Sequence, residues 1–359
     1  MTKTLVKELN VIIPKSQIST ITYKINKSSS NNVEIRISEE GDRVLLHGDS
    51  EEVLEEHFDQ LLKLIKSKEN WNSNKALLYE LPHKKERFFT INHFLNNKQI
   101  MIGANNNLIL QGYLVELFEI IDKKILTFAE QVQAKFIYSE PIWADDNLGL
   151  YGYQPNDHSL CTLGNFDKSV NKSNMWQIAA CNNIWHNLSG KSVQAAETYT
   201  IKGICCRNEG NQYNFLERMR VFTMREITFL GTRKQTYDFK EKALNFLITL
   251  ASELELTGYI ENANDPFFVG THSTKHDYDL PQIIKQELRL NVSLTKTIAV
   301  SSINIHGNFF SKNLDIKLDS KEEPWTCCFA FGLERWLWAI MTQLGQQSQN
   351  LITKKKYNA

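Results

Sequence analysis

Two short stretches, Cys206-Arg207-Asn208-Glu209 and Arg218-Met219-Arg220-Val221-Phe222-Thr223-Met224-Arg225-Glu226, hold residue types suited to gripping a nucleotide. A planar guanidinium meets phosphate oxygens two at a time, an aromatic ring stacks on a base, and a carboxylate accepts from an exocyclic amino group. Carried on neighbouring strands of a hairpin, such a set could press a bent ATP against a carboxylic acid. The reaction this suits is adenylation, in which the acid attacks the α-phosphorus and pyrophosphate leaves. Charge on the α- and γ-phosphates must then be neutralised in line. Arg207 is expected to take the α-phosphate and the acyl carboxylate, and Arg218 the γ-phosphate. Phe222, expected on the same strand face as Arg218, would stack on adenine, with Glu209 accepting from its amino group and Met219 beside it.

A later stretch, Ala330-Phe331-Gly332-Leu333-Glu334-Arg335, supplies a third guanidinium. Gly332 permits close backbone approach at a strand-to-helix turn, and Arg335 then projects from the first helical turn toward phosphate. Alone, an Arg-x-Glu is ordinarily a surface ion pair and a Gly-x-x-Arg an ordinary turn. Their joint occurrence in this order favours the nucleotide reading.

The elements that must carry these residues are legible in the periodicity. An amphipathic helix is predicted from about Gln111 to Gln133, with Leu114, Leu117, Phe118, Ile121, Ile125, Phe128 and Val132 as its stripe. Strands are predicted at Ile201 to Cys206, Val221 to Leu230 and Lys296 to Ile305, and a helix at about Gln235 to Leu256. Trp325 to Leu344 reads as a strand passing into a helix at Phe331-Gly332. Ahead of these, alternating apolar residues such as Ile21, Tyr23, Ile25 and Val33, Ile35, Ile37 predict a small sheet. A helix follows from about Ser50 to Lys68, opened by Asp49 with Glu52 behind it and lined by Val53, Leu54, Phe58, Leu61, Leu62 and Ile65. The fold class is therefore α+β, with a small N-terminal module over 1–95 and a catalytic domain over 96–359. The latter is a mostly antiparallel sheet flanked by helices, with no dinucleotide or Walker glycine loop.

Composition narrows the setting. The 359 residues carry 41 basic and 41 acidic side chains, so no global field draws in a polyanion. No apolar run approaches the roughly 20 residues of a membrane helix, and the N-terminus lacks a signal core, so a cytoplasmic protein with no membrane partner is expected. The cysteines, at 161, 181, 205, 206, 327 and 328, cluster in a way unlike a secreted disulfide framework.

Together the two arginine-bearing stretches resemble motifs 2 and 3 of class II aminoacyl-tRNA synthetases, with 109–141 as a weaker motif 1. The resemblance implies an antiparallel sheet and a homodimer. More narrowly, Cys181, Met224-Arg225-Glu226 and Thr326-Cys327-Cys328 through Arg335 are similar to the atypical zinc-dependent seryl-tRNA synthetases and, more closely, to the amino acid:[carrier protein] ligases. On that resemblance Cys181, Glu226 and Cys328 hold zinc, Cys328 being chosen over Cys327 because it keeps the family's interval to Arg335. Two thiolates and a carboxylate leave one tetrahedral position for an α-amino group, so Glu226 also counts as substrate-binding. The run from Ala299 to His306 borders ATP in that family, which adds Ala299 and Ser302 to the ATP site and Asn304 to the substrate site. Asp265-Pro266-Phe267-Phe268 falls within the same likeness. Cys206 replaces a family Phe, Ala330 a Gly, and Ala299 stands where a carboxylate would meet magnesium.

The implied function is activation of a small amino acid with ATP and magnesium, then delivery to the phosphopantetheine thiol of a small acidic carrier protein. Two alternatives stand beside it: a seryl-type tRNA ligase, or a non-catalytic paralogue that binds amino acid or a partner. Near-zero charge and a modest N-terminal module weigh against tRNA. Cys161, Cys205, Cys206 and Cys327 are assigned to packing, His306 to a hydrogen-bonded core or pocket position, His272 and His276 to solvent, and Lys354-Lys355-Lys356 to a frayed tail.

Overall fold

A computed structural model describes residues 3–9, 33–38, 42–69, 77–104, 107–153, 160–164, 174–194, 196–209, 214–263 and 284–352. The expectations for Ile21 to Ile25, Asp265 to Phe268, His272, His276 and the terminal lysines fall outside them.

The chain divides into two units, 1–74 and 75–359. In the first, β1 (Lys3–Glu8), β2 (Glu34–Ile37) and β3 (Arg43–Gly48) form an antiparallel sheet in the order β1-β3-β2. Ile35, Val44 and Leu46 alternate inward and meet Leu54, Phe58 and Leu61 of α1 (Glu51–Glu69), closing a small core of their own. The cap of α1 differs from the expectation: the Val53 N–H donates to the Ser50 hydroxyl at 3.3 Å, and Val53 itself is exposed. Sequence reasoning put the module's end near residue 95, but β4 (Leu77–Glu80) pairs within the large sheet of the second unit. Leu81 N–H then donates to Gly258 C=O and Phe89 N–H to Thr342 C=O, which fixes 77–95 to that unit.

The second unit continues through α2 (Ile91–Asn96), β5 (Ile100–Ile102), β6 (Leu108–Leu110), α3 (Tyr113–Gln131), β7 (Lys135–Ile137), β8 (Ile142–Ala144), β9 (Cys161–Gly164), β10 (Asn174–Trp176), α4 (Asn182–Leu188) and β11 (Ser192–Val193). The long hairpin β12 (Glu197–Cys206) and β13 (Val221–Gly231) leads to α5 (Arg233–Glu253), β14 (Gly258–Asn262), β15 (Ile284–Asn291) and β16 (Thr297–Gly307). Last come α6 (Phe309–Asn313), β17 (Lys317–Leu318), β18 (Trp325–Gly332) and α7 (Leu333–Leu344). Eight strands form one sheet in the order β4-β14-β15-β16-β18-β13-β12-β7, antiparallel throughout except that β7 joins β12 in parallel.

Strand alternation gives this sheet two faces of different character. Ile227, Phe229, Cys327, Phe329 and Phe331 point into a large apolar core with α3, α5 and α7. Met224, Cys328 and Ala330 point the other way, into a second cluster with Cys181, Ile184, Trp185 and Tyr151. Among the described residues no helix is long and apolar enough to cross a membrane.

The predicted helix over 111–133 is α3, and Leu114, Leu117, Ile121, Ile125 and Phe128 of its stripe are buried. So is Asp122, whose carboxylate takes both ends of Arg225, Nε at 2.7 Å and Nη2 at 2.8 Å, with Lys202 Nζ at 3.3 Å. Burial alone would raise the Asp122 pKa, but Arg225 and Lys202 overcome it and hold it below the ordinary value. A buried charge needs such partners to remain ionised.

Candidate active site

The hairpin delivers the first group of residues. Arg207 lies one position past β12, yet its N–H donates to Arg220 C=O at 2.8 Å, so the ladder continues to the point where the guanidinium departs. Its Nε and Nη2 both donate to Ile178 C=O, at 3.1 and 3.0 Å, and its guanidinium carbon stands 5.1 Å from the centre of the Phe222 ring. Phe222 sits opposite Cys205 in the register, on the same face as Met224 and Glu226.

Arg218 departs from the expected geometry. It does not share a strand face with Phe222, because 214–218 form a turn closed by Arg218 N–H to Asn214 C=O and β13 begins only at Val221. Its Nη1 pairs with Glu209 Oε2 at 3.2 Å. Glu209 therefore serves, in this arrangement, as the partner of an arginine. Met219 packs on the helix-side core at the same turn.

Arg335, in the first turn of α7, donates from Nε to Glu217 C=O at 2.6 Å and from Nη1 to Ala299 C=O at 3.0 Å. Ala299 thus contributes a carbonyl rather than a side chain. Burial, then the charges of Arg218 and Arg207, push the Arg335 pKa down to about 10, with Glu287 and Glu209 opposing. Arg335 remains a cation at neutral pH, and the guanidiniums of Arg218 and Arg207 stand close enough to repel it. Assembling three cations at a part-buried place costs free energy that a polyanionic ligand would recover.

The three residues expected to hold a metal also converge. Cys181 lies at the start of α4, Glu226 midway along β13 and Cys328 midway along β18; their ligand atoms are all within 4.8 Å of one another. Cys181 N–H donates to Glu226 Oε2. All three residues are buried, and burial pushes each of their pKa values up, Cys328 to about 11. Three buried acids gathered at one place are chemically suited to a divalent metal, whose charge would favour the ionised donors. Two thiolates and a carboxylate match the donor set that zinc prefers. The neighbours of Cys328 in the ladder, Thr228 and Asn304, add two buried oxygens, Oγ1 and Oδ1, with no hydrogen-bond partner among the described residues. Ser302 accepts from Asn304 Nδ2 at 3.0 Å on the same face. Cys327, one residue away, points to the opposite face and is buried among phenylalanines.

Close approach of the Cys181 segment to the sheet has a local cause in Gly203. A Cβ there would lie 2.6 Å from Gln177 Nε2 and 2.8 Å from Ala180 Cβ. Gln177 Nε2 and Trp176 Nε1 both donate to Ile204 C=O, at 2.9 and 3.0 Å, tying this segment to the edge of β12.

Three residues escaped the sequence reading. Glu334 accepts the Thr223 N–H with both carboxylate oxygens, at 2.8 and 2.9 Å, joining α7 to the hairpin. Glu287 pairs with Lys285 at 2.7 Å and Arg289 at 3.2 Å and bears on Arg335; the alternation Lys285, Glu287, Arg289 against buried Gln286, Leu288, Leu290 was its available signal. Tyr153 is buried beside Cys181, Arg207 and Glu226, and nothing in its local sequence marked it.

No protein-family model matches the chain. It is 28% identical over 178 residues to the type-2 serine–tRNA ligase of Methanothermobacter thermautotrophicus, covering 48% of this chain and 35% of that protein. It is 31% identical over 157 residues to the type-2 serine–tRNA ligase of Methanococcus maripaludis, covering 42% and 30%. With amino acid–[acyl-carrier-protein] ligase 1 of Bradyrhizobium diazoefficiens it shares 30% identity over 138 residues, 38% of this chain and 42% of that protein. The matched segments thus span less than half the length of these curated relatives. Among solved structures, the M. kandleri SerRS complex with A. aeolicus tRNASec gives a TM-score of 0.68 at 16% identity, covering 99% of this chain and 78% of that one. The cytoplasmic serine–tRNA ligase of Naegleria fowleri in complex with AMP gives 0.64 at 10% identity, covering 84% and 72%. With its antiparallel sheet, arginine-bearing hairpin and closing strand-helix, the chain has a class II aminoacyl-tRNA synthetase-like fold.

Proposed function

We propose that this protein is an ATP-dependent, AMP-forming ligase that activates a small amino acid and transfers it to the phosphopantetheine thiol of a carrier protein. The activation half rests on two observations: the charges of Arg207 and Arg218 both act on Arg335, and Arg207 also acts on Glu226, whose ligand atom lies within 4.8 Å of those of Cys181 and Cys328. On this reading Arg207 turns from Ile178 C=O to the substrate carboxylate and α-phosphate, while Arg335 and Arg218 neutralise the outer phosphates. The carboxylate oxygen attacks the α-phosphorus, the bond to the bridging oxygen breaks, and pyrophosphate leaves. In the second half the thiol sulfur attacks the acyl carbon and AMP departs. Phe222 offers its ring to adenine once Arg207 moves. Cys181, Glu226 and Cys328 would hold zinc, which would serve there as a Lewis acid toward the α-amino nitrogen. Magnesium accompanies ATP, and Glu287 is a carboxylate whose charge acts on Arg335.

A second reading, tRNA aminoacylation, is favoured by a specific observation: most of the similar curated proteins are serine–tRNA ligases, and the likeness to the M. kandleri fold extends over the N-terminal unit. One experiment separates the acceptors. Amino-acid-dependent exchange of pyrophosphate into ATP is expected under both readings, and its absence with every small amino acid would end both. Mass spectrometry of a phosphopantetheinylated carrier protein should then show an aminoacyl adduct, whereas charging of tRNA alone would replace the first reading by the second. Arg207→Ala is expected to slow exchange by roughly a hundredfold or more, the usual cost of losing a donor to developing charge. An unchanged rate would remove Arg207 from the chemistry.

A further inference from the structure

We propose that Cys161 and Cys206 form an oxidisable dithiol, a modification site distinct from Cys181 and Cys328. Their sulfurs lie 2.8 Å apart, although the residues are 45 positions apart in sequence. Both are partly exposed, whereas Cys181, Cys205, Cys327 and Cys328 are buried. A small oxidant therefore reaches this pair first.

The backbone around the two thiols holds them in register. Cys161 pairs with Trp176 across β9 and β10, and the next residue, Gln177, accepts the Cys206 N–H at 2.9 Å through its carbonyl. Trp176 Nε1 anchors to Ile204 C=O at 3.0 Å. Both cysteines thus belong to one hydrogen-bonded corner. Bringing the sulfurs to a bonded separation of about 2.05 Å needs a shift of less than about an ångström.

The step is a two-electron oxidation by a peroxide. One thiolate attacks the peroxide oxygen to give a sulfenic acid and water; the second sulfur attacks that sulfenic sulfur, expels a second water and forms the disulfide. Hydrogen peroxide is reduced, two thiols are oxidised, and two waters are released in all. Burial, and the neighbouring Cys161, push the Cys206 thiol up to about 12, so oxidation is slow at neutral pH and favoured in alkali. The bond closes a loop that contains Cys181 and ends at Cys206, so it would fasten the strands β9 and β10 to the residue just before Arg207.

The test uses the full chain. After exposure to hydrogen peroxide, free thiols are alkylated with iodoacetamide under denaturing conditions and the chain is digested without reductant. The expected product is a peptide pair joining 161 to 206, lighter by two hydrogens, lost on dithiothreitol treatment and absent from both Cys161→Ser and Cys206→Ser. The joined pair should accumulate at least tenfold faster at pH 9 than at pH 7. Both cysteines recovered alkylated, or converted separately to sulfinic acids, would overturn the proposal, as would a cross-link confined to Cys181 and Cys328.

Discussion

At the scale of single residues, the sequence disclosed the candidate site through side chains whose chemistry is rare in combination. Arginines, a carboxylate and thiols are seldom gathered by accident, and the three arginines and the Cys181, Glu226, Cys328 set each come together in space. Cys181→Ser and Cys328→Ser should each lower bound zinc from one equivalent per chain toward none, as read by metal analysis of the purified protein. Stoichiometric zinc in both variants would dismiss the metal assignment. His306 makes a different prediction. It is buried beside Thr326 Oγ1 at 3.4 Å and Phe310, and burial lowers its pKa to about 3. The folded protein binds this proton less readily than the unfolded chain, so its neutral form adds stability above about pH 6.5 and that stability drains away as pH falls toward 3. Denaturant titrations between pH 7 and 5 should show a loss approaching about 1 kcal/mol per pH unit, flattened in His306→Gln. Identical slopes would show that His306 does not titrate as its burial implies. Asp122 and Tyr153 were not legible, because their importance lies in what other segments bring to them.

At the scale of elements, periodicity gave the strands and helices, and it failed where a turn interrupted it. Arg218 and Phe222 looked like neighbours on one strand face only under the assumption that the strand began before Val221. The positive φ of 63° at Leu216 marks the tight turn that breaks the alternation, a conformation that its residue type does not announce. The α3 stripe was legible, but the ion pair beneath it was not, since Asp122 and Arg225 lie 103 positions apart. With both charges removed from water, loss of one partner strands the other. Asp122→Ala should therefore destabilise the protein by about 3 to 5 kcal/mol, measured by denaturant unfolding. A change below about 1 kcal/mol would mean that solvent reaches Arg225 when its partner is lost.

At the scale of the whole molecule, the division at Asn74 and Lys75 places every candidate site residue in the second unit. A chain starting at Lys75 should retain amino-acid-dependent pyrophosphate exchange within a few fold, while acylation of the acceptor, carrier protein or tRNA, should fall if the first unit grips it. Loss of exchange in a folded truncated chain would assign the first unit a part in activation. The boundary was the least legible feature, because β4 joins the sheet through pairing with β14, far along the chain, and local composition carries no trace of that partner.

The carboxylate of Glu334, spread across the Thr223 amide, couples regions 111 positions apart in the chain. The helix that bears Arg335 cannot tilt without tugging the hairpin close to the end where Arg207 sits. Any drift of one arginine-bearing segment is passed to the other as through a hinge pin, so the two stretches that look independent in the linear order would loosen, and fail, as a single mechanical part.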